Sequence, residues 1–357
     1  MESLKKTVIN IISPSQFGYL VDYYEYSNHL RVKYRINYYC LDEGKPKIEM
    51  EGVEVIYIKS TLKGFRKWIN FSRSLSLFSF EDEVVFVKYY RFCSILRLVI
   101  KKPKKLILDI RTGSVGFTKL SRFLFNYTLM AESMFFDVIT IISESLAKYL
   151  HVNNYILLPL GSPPNSIYNK NFDDIRMIYI GTLSNRKIED TLYGLKQYLE
   201  IRSEEIKINY EIIGDGYNNE VEHLKALASR LRIDEYVTIH GRLPYNQLKP
   251  HFDKSNLGVS YIPITPYYNV QPVTKTLEYI SHGMIVLGTK TEEQQKLIND
   301  TNGLLCNDSS ESFSEALSFI AKRLNKYNSA MIKSKSIAPS WEEVSEYLDE
   351  NIISLYT

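Results

Sequence analysis

The chain has 357 residues, of which 45% are hydrophobic and 24% charged, and its net charge at pH 7 is +3. This composition is typical of a soluble globular protein, and no apolar run approaches the roughly 18 residues that a membrane-spanning helix needs. Because the length exceeds that at which single cores stop growing, two domains are expected. Lys and Arg outnumber Asp and Glu before Asn165 and the balance reverses beyond it, which suggests that the two halves meet different partners.

The cysteines and the N-terminus indicate the compartment. Cys40, Cys93 and Cys306 form no CxxC pair and no Cys/His cluster, so they predict small core residues in a reduced compartment and indicate no metal site. The apolar run that follows Lys5 and Lys6 is too short for a signal-peptide core. Together these features predict a cytoplasmic protein.

The first half alternates short apolar strands with helices, which is typical of a doubly wound α/β domain. One helix is predicted to end at about Leu30. The predicted strands cover residues 7–12, 36–40, 53–58, 84–87, 106–110, 138–142 and 156–158.

The second half repeats the alternation after a segment rich in Pro and Asn, residues 163–175, which is predicted to be a linker. We predict an N-terminal domain over residues 1–162, a C-terminal domain over 176–339, and a final helix in 340–357 that could return to the N-terminal domain. The predicted strands cover 177–180, 210–213, 237–240, 257–261 and 285–287. One predicted helix starts near residue 188, and three others cover 220–231, 310–327 and 340–353.

The most informative segment is a short predicted helix that Pro272 and Thr274 open and Gly283 closes. Its N-terminus offers free N–H groups and a positive dipole end to a phosphate. Lys275 and Glu278 lie three residues apart and share one face, so that a cation and a carboxylate together could hold a diphosphate and a ribose diol. The competing interpretation is a solvated ion pair on an ordinary helix.

Two more polar or glycine-rich loops, residues 181–187 and 214–216, follow predicted strands. Because ligands of open α/β sheets collect at the carboxyl ends of strands, we expect these loops and residues 271–278 to converge on one crevice. Gly181 allows a ligand to approach the backbone, and Arg186 with Lys187 would neutralise phosphate charge. Gly214 and Gly216 alone also fit an ordinary turn.

The motifs at residues 179–184, 213–216, 240–243 and 275–279, with Gly283, resemble the donor-binding domain of glycosyltransferase family 4 in this order. The first half resembles the family more loosely, at 12–18, 142–146 and 158–161. The resemblance implies the GT-B fold, an α/β fold in which two doubly wound Rossmann-like domains face each other across a cleft. It also implies retaining transfer from a nucleoside diphosphate sugar, with no metal or other cofactor.

The resemblance also implies roles for individual residues. Glu278 is expected to accept hydrogen bonds from the ribose, the Thr274 region to present N–H groups to the diphosphate, and three cations to counter the leaving-group charge: Arg186, Lys187 and Lys275. Further donor-binding residues are expected at Gly181, Thr182, Gly214, Gly216 and Gln271.

The sequence departs from the family pattern at two positions. Many relatives carry a glutamate where this chain has Val270, so Asn269 or Gln271 is expected to contact the donor sugar instead. Many also carry arginine after the glycine at 181, where this chain has Thr182.

On the acceptor side, Asp109 and Arg111 follow a predicted strand and are candidates for orienting the acceptor hydroxyl or the transferred sugar. The equally weighted alternative is that Asp109 caps the loop and pairs with Arg111. Phe17 and Gly18 either border the acceptor or form one core aromatic and one tight turn.

Basic and aromatic residues alternate in residues 62–80, and five residues from Lys101 to Lys105 add a second basic cluster. Such a mixture suits the anionic inner face of a membrane; the alternative is a solvated helix face and a Lys-rich turn. No recognisable nucleic-acid-binding module accompanies these residues, so nucleic acid is not an expected partner.

The function most consistent with the resemblance is sugar transfer to a carbohydrate, lipid-linked acceptor in cell-surface polysaccharide assembly, of the capsule or lipopolysaccharide kind. The chain would then work in the cytoplasm or peripherally on the inner face of the membrane. Two alternatives remain open: a nucleotide-sugar 2-epimerase of the same fold, and a non-catalytic GT-B scaffold module.

Overall fold

The computed structural model describes residues 6–116, 118–202, 206–244 and 247–357, which divide into two compact units. Unit 1 comprises Met1–Gly161 and Pro339–Thr357, and unit 2 comprises Ser162–Ala338. Each unit is built on one parallel sheet with helices. The predicted α/β class with two Rossmann-like domains is therefore confirmed.

The sheet of unit 1 has seven parallel strands. They are β1 (Val8–Ile12), β2 (Arg35–Leu41), β3 (Val53–Ile58), β4 (Val84–Lys88), β5 (Lys105–Ile110), β6 (Val138–Ile141) and β7 (Ile156–Leu157). Their order is β3-β2-β1-β4-β5-β6-β7. The central strands are apolar runs because helices cover both faces of a parallel sheet.

The helices of unit 1 include one from the C-terminal segment of the chain. They are α1 (Val21–Leu30), α2 (Phe65–Ser74), α3 (Leu96–Val99), α4 (Lys119–Ser133), α5 (Glu144–Leu150) and, from the C-terminal segment, α14 (Trp341–Leu348). α14 packs on α1, where the rings of Trp341 and Tyr26 meet edge to face with centroids 6.0 Å apart. Beyond α14, the Asp349 carboxylate accepts hydrogen bonds from Lys33 and Tyr34.

The sheet of unit 2 has six parallel strands. They are β8 (Ile175–Ile180), β9 (Ile208–Ile213), β10 (Val237–Gly241), β11 (Leu257–Ser260), β12 (Ile285–Thr289) and β13 (Gly303–Cys306). Their order, β10-β9-β8-β11-β12-β13, is that of a dinucleotide-binding sheet, with the reversal of strand order between β8 and β11.

The helices of unit 2 alternate with these strands. They are α6 (Ile188–Ile201), α7 (Glu220–Leu231), α8 (Lys249–Lys254), α9 (Pro266–Asn269), α10 (Thr274–Ser281), α11 (Glu292–Leu297), α12 (Ser310–Ala321) and α13 (Ser329–Ser334). In neither unit does a described helix combine the length and the apolar character needed to cross a bilayer.

Several short helices and three larger features of the structure differ from the sequence-based expectation. α4 was not predicted, because its apolar residues surround the helix and several are exposed instead of forming one stripe. β13 was not predicted because it is only four residues long and shows no alternation. The helix predicted over 310–327 ends at Ala321, and a separate short turn follows.

The segment predicted as a linker is bound to unit 2. The backbone N–H of Ser166 donates to the carbonyl of Ser281 at 2.8 Å, and Lys333 Nζ donates to the carbonyl of Ser166 at 2.6 Å. Lys170 Nζ donates to the carbonyls of Phe252 and Asp253. The segment is therefore an ordered part of unit 2.

Candidate functional site

The reversal of strand order in unit 2 opens a crevice beyond the carboxyl ends of β8 and β11, where ligands of doubly wound sheets bind. The loop after β8 begins at Gly181. Its backbone N–H donates to the carbonyl of Ile213 at 3.0 Å, so the loops after β8 and β9 lie side by side. The predicted loops at residues 181–187 and 214–216 therefore lie next to each other.

Glycine is required where these loops touch. Gly181 has φ +150°, and a Cβ there would lie 3.0 Å from the Lys275 ammonium nitrogen. A Cβ on Gly214 would lie 1.8 Å from the Gly181 carbonyl oxygen, which leaves no room for a side chain. The loop at Gly181 thus lies close both to the 214–216 loop and to the Lys275 ammonium group.

Hydrogen bonds fasten the two loops to each other. The backbone N–H of Leu183 donates to the carbonyl of Asp215 at 2.9 Å. Ser184 Oγ accepts from the backbone N–H of Tyr217 and donates to Glu220. Gly216 packs against that same Glu220 carboxylate. A loop held in this way is pre-organised for a ligand.

Lys275 is the most perturbed cation of the site. Its Nζ is buried, has no hydrogen-bond partner among the described residues, and lies 3.8 Å from the centroid of the Tyr179 ring. Burial lowers the pKa of Lys275 well below its usual value, the charge of Arg186 lowers it further, and Glu278 partly opposes both. A buried ammonium beside a second cation is expected to recover its charge when an anion binds.

Arg186 supplies that second cation. Its guanidinium carbon lies 4.3 Å from the centroid of the Tyr268 ring, and within the described parts of the chain its buried Nη1 atom has no hydrogen-bond partner. The N–H groups of Arg186 Nη1 and Lys275 Nζ are therefore available to an incoming ligand. The two cations therefore form a candidate anion site, with Glu278 as the carboxylate that acts on Lys275.

α10 brings Thr274, Lys275 and Glu278 together. Val273 occupies the N-cap position and no side chain caps this end of the helix, so its amide groups remain available to an anion. Glu278 lies one turn further on and is half-buried. Burial raises the pKa of Glu278 to about 7, and Lys275 opposes that rise.

Glu278 also borders a cavity of about 580 Å³, a volume within the range of small-molecule pockets. Its lining combines apolar rings with polar groups: Pro163, Ser166, Ile167, Tyr168, Leu248, Lys249, Phe252, Asp253 and His282. Glu278 therefore lies on the same helix as Lys275 and also lines the cavity.

Other predicted donor-side residues contribute less to this arrangement. Lys187 is exposed and its ammonium lies 3.6 Å from the Asp308 carboxylate, so it does not join Arg186 and Lys275. Thr182 is exposed, and its carbonyl accepts a hydrogen bond from Tyr179 at 2.6 Å. Gln271 is half-buried beside the buried Val270.

In unit 1, Asp109 and Arg111 form an internal network. Asp109 is fully buried, and its carboxylate accepts hydrogen bonds from Tyr23 and Thr140, each at 2.7 Å. Arg111 donates to Asp22 at 3.0 Å and lies 3.7 Å from Asp109. The geometry corresponds to the structural alternative, in which Asp109 pairs with Arg111 inside the domain.

Phe17 and Gly18 likewise correspond to their structural alternative. Phe17 is fully buried and packs edge-on against Tyr38, with ring centroids 4.9 Å apart. Gly18 has φ +85° and forms the turn that follows. Neither residue has a polar side chain.

Sequence analysis missed the two tyrosines that hold the cations. Tyr179 is the residue before the end of β8, and Tyr268 lies in α9. The available signal was Tyr179, an aromatic residue two positions before Gly181, but aromatic residues are also common in buried strands.

Comparison with known proteins finds a family model that is similar to part of the chain. Residues 174–323 match the family model described as glycosyl transferases group 1. The match contains the loop at Gly181, the 214–216 loop and α10. The curated proteins include no sequence relative of the chain.

Solved structures similar to the whole chain have the GT-B fold. The chain is 11% identical to Anabaena HepE in complex with UDP, with a TM-score of 0.68 over 98% of this chain and 100% of that one. It is 13% identical to sucrose-phosphate synthase from Thermosynechococcus elongatus, with a TM-score of 0.72 over 98% and 99%. The lipopolysaccharide outer core galactosyltransferase WaaB is 16% identical, with a TM-score of 0.66 over 98% and 100%.

Proposed function

We propose that the chain is a glycosyltransferase whose donor is a nucleoside diphosphate sugar held by unit 2, because residues 174–323 match the family model of the glycosyl transferases group 1. The observation that carries the proposal is a pair of cations at the carboxyl end of β8, Arg186 and Lys275, each of which has a buried nitrogen atom without a hydrogen-bond partner among the described residues. A diphosphate supplies the negative charge that this pair lacks.

Each donor contact follows from the chemistry of a side chain. The diphosphate lies against the uncapped N-terminus of α10 at Thr274, where the helix dipole favours negative charge. Lys275 and Arg186 take the charge that develops as the nucleoside diphosphate departs. The Glu278 carboxylate accepts hydrogen bonds from the ribose hydroxyls, and Gly181 lets the donor approach the backbone.

The reaction proposed is a retaining transfer to a carbohydrate hydroxyl. The bond between the anomeric carbon and the phosphate oxygen breaks, and a bond from the acceptor oxygen to the same carbon forms on the same face. The acceptor proton passes to the departing phosphate oxygen, so the diphosphate serves as the base. Since two cations and a helix N-terminus take the leaving-group charge, the proposed reaction needs neither a metal ion nor another cofactor.

We further propose that the acceptor is lipid-linked and that unit 1 meets an anionic membrane surface. Phe65 is 56% exposed at the start of α2, and Leu120 and Phe123 are 67% and 64% exposed at the start of α4. Both helices begin near the carboxyl edge of the sheet of unit 1 and contact the same turn, Cys93–Ile95. Arg66 and Lys119 are exposed beside these apolar residues, which is the mixture that favours an anionic interface.

This setting corresponds to cell-surface polysaccharide assembly, of the capsule or lipopolysaccharide kind, on the inner face of the membrane. Sedimentation with vesicles containing anionic lipid tests the surface contact. We expect the full chain to co-sediment at low salt and a Phe65→Ser/Phe123→Ser variant to do so several-fold less. Equal sedimentation of the two proteins would remove this part of the proposal.

The transfer itself is tested with a panel of UDP-, GDP-, dTDP- and CMP-sugars, first by thermal shift and then by product analysis with saccharide acceptors. We expect one donor class to stabilise the chain and the product to keep the anomeric configuration of the donor. Glu278→Ala should lose most activity, while Glu315→Ala, at an exposed position on α12, should not. A new nucleotide-sugar isomer formed without acceptor would indicate the epimerase instead, and donor binding without turnover would indicate the scaffold module.

A further inference from the structure

Three potential metal ligands converge at the β10 edge of the sheet of unit 2. Glu211 lies on β9, His240 on β10 and His251 on α8. One donor atom from each lies within 4.8 Å of the other two. All three side chains are 18–26% exposed, so the cluster is partly shielded and open on one side.

Both oxygens of one carboxylate face imidazole nitrogens in this cluster. His251 Nδ1 lies 2.6 Å from Glu211 Oε2, and His240 Nε2 lies 3.9 Å from Glu211 Oε1. The two imidazole rings meet edge to face with centroids 4.8 Å apart. The nitrogen atoms and the carboxylate are thus aimed at a common volume.

The fold supplies this convergence through a local irregularity. Thr238 pairs with Glu211 across β10 and β9, but the register shifts between Ile239 and Gly241 and leaves His240 as the extra residue. A bulge of this kind redirects a side chain, and bulges are frequent beside functional sites. His251 enters from α8, with its backbone N–H donating to the carbonyl of Leu248 at 3.0 Å.

We propose that Glu211, His240 and His251 form a binding site for a divalent transition-metal ion, with Zn²⁺ the best fit. Two imidazoles and one carboxylate are a set that Zn²⁺ uses, with water in the fourth, open position. Metal–ligand distances of about 2.0–2.2 Å place tetrahedral donors roughly 3.4 Å apart. The His251–Glu211 contact would lengthen and the His240–Glu211 contact would shorten, each by less than about 1 Å, which side-chain rotation provides.

The site would fasten three elements that frame the donor region. Gly241, which follows His240, accepts a hydrogen bond at 2.8 Å from the backbone N–H of Gly214 in the loop beside Gly181. α8 contributes Lys249 and Phe252 to the cavity that Glu278 borders. The metal would therefore hold the 214–216 loop and the cavity wall in place without touching the donor, and this role does not depend on the donor assignment.

The competing explanation is a simple hydrogen bond between His251 and Glu211, with a proton where the metal would lie. That explanation requires only those two residues. His240 is too far from Glu211 for a hydrogen bond, so it contributes to a metal site but not to the hydrogen-bonded pair. Substitution of His240 therefore distinguishes a metal site from a simple hydrogen bond between His251 and Glu211.

The test is calorimetric titration of the chelator-treated full chain with Zn²⁺ alone. We expect one equivalent to bind, with affinity at least tenfold weaker in both His240→Ala and His251→Ala. His223→Ala, at an exposed histidine on α7, is the matched control and should bind as the parent does. Zn²⁺ should also raise the Tm of the parent and of His223→Ala but not that of His240→Ala.

His240→Ala preserves the His251–Glu211 hydrogen bond, so it keeps the test decisive if His251→Ala fails to fold. Co²⁺ titration gives a second measurement, because the proposed ligands contain no sulfur. Undiminished binding by His240→Ala, no binding by the parent, or a thiolate absorption band with Co²⁺ from Cys40, Cys93 or Cys306 would each overturn the proposal.

Discussion

Arg186 and Lys275 are two cations that interact electrostatically. Each lies against an aromatic ring, and within the described parts of the chain each has a buried nitrogen atom without a hydrogen-bond partner. Burying charge without compensation costs free energy, so this arrangement destabilises the free protein. A ligand that carries two negative charges compensates the two cations, and the relief of this cost strengthens its binding. The perturbed Lys275 pKa is consequently a property that donor binding should reverse.

Donor binding should be accompanied by proton uptake at alkaline pH. Burial and the charge of Arg186 lower the pKa of Lys275, and a bound diphosphate should raise that pKa because its negative charge favours the ammonium. Titration of UDP in two buffers of different ionisation enthalpy measures the uptake. Lys275→Met should abolish it, whereas Lys290→Met, at an exposed position, should leave it unchanged. Equal enthalpies in both buffers for the parent would contradict the proposed role of Lys275.

Glu278 should make unit 2 less stable as the pH rises. Its folded-state pKa of about 7 exceeds the ordinary value of 4.5, so between these values the unfolded chain releases a proton that the folded chain retains. Stability is therefore lost between about pH 4.5 and 7. Urea unfolding at pH 5 and pH 8 should show a smaller decline for Glu278→Gln than for the parent; identical declines would show that Glu278 is not perturbed.

The C-terminal end of α10 depends on Gly283, the residue after its C-cap His282. Gly283 adopts φ +67°, and a Cβ there would lie 2.9 Å from the backbone oxygen of Ser329. Gly241 has a similar φ of +70° but open space around its Cα. The two glycines therefore separate the cost of backbone conformation from the cost of contact.

Gly283→Ala should destabilise unit 2 by about 2 kcal/mol or more, since conformational strain and a backbone clash add. Gly241→Ala should lose only about 1 kcal/mol, because it carries the conformational part alone. Chemical denaturation of both variants measures the difference. Equal losses would mean that the contact at Ser329 relaxes freely.

Sequence analysis predicted the elements that carry the site better than it predicted their contacts. The strands of both sheets except β13 were visible because parallel strands are continuous apolar runs, and the 272–283 segment carried its own start and stop signals. The burial of Asp109 was not predictable, because its partners Tyr23 and Thr140 come from distant segments. For the same reason, nothing in the spacing of Glu211, His240 and His251 suggested that they meet.

At the scale of the molecule, the chain returns to unit 1 after completing unit 2. Trp341 is buried against Tyr26, and a Cβ on Gly161 would clash with its indole ring. The capping box at Ser340 and Glu343 fixes the start of this helix. The C-terminal residues are thus part of the core of unit 1.

Trp341→Ala should destabilise unit 1 by about 3–5 kcal/mol while leaving unit 2 intact, because the lost indole contacts belong to unit 1. Leu355→Ala, at a 64% exposed position in the same segment, should have little effect. Calorimetric scans should then resolve an early transition in Trp341→Ala only. A single unchanged transition would contradict the assignment of this segment to the core.

The account depends most directly on the binding of a nucleoside diphosphate by Arg186 and Lys275. The decisive measurement is calorimetric titration of the full chain with UDP, GDP and dTDP, repeated with the tightest ligand on Arg186→Met and Lys275→Met. We predict that each substitution weakens binding at least tenfold, while Lys290→Met binds as the parent does. Unchanged affinity in both variants, or no binding of any nucleoside diphosphate by the parent, would contradict the account.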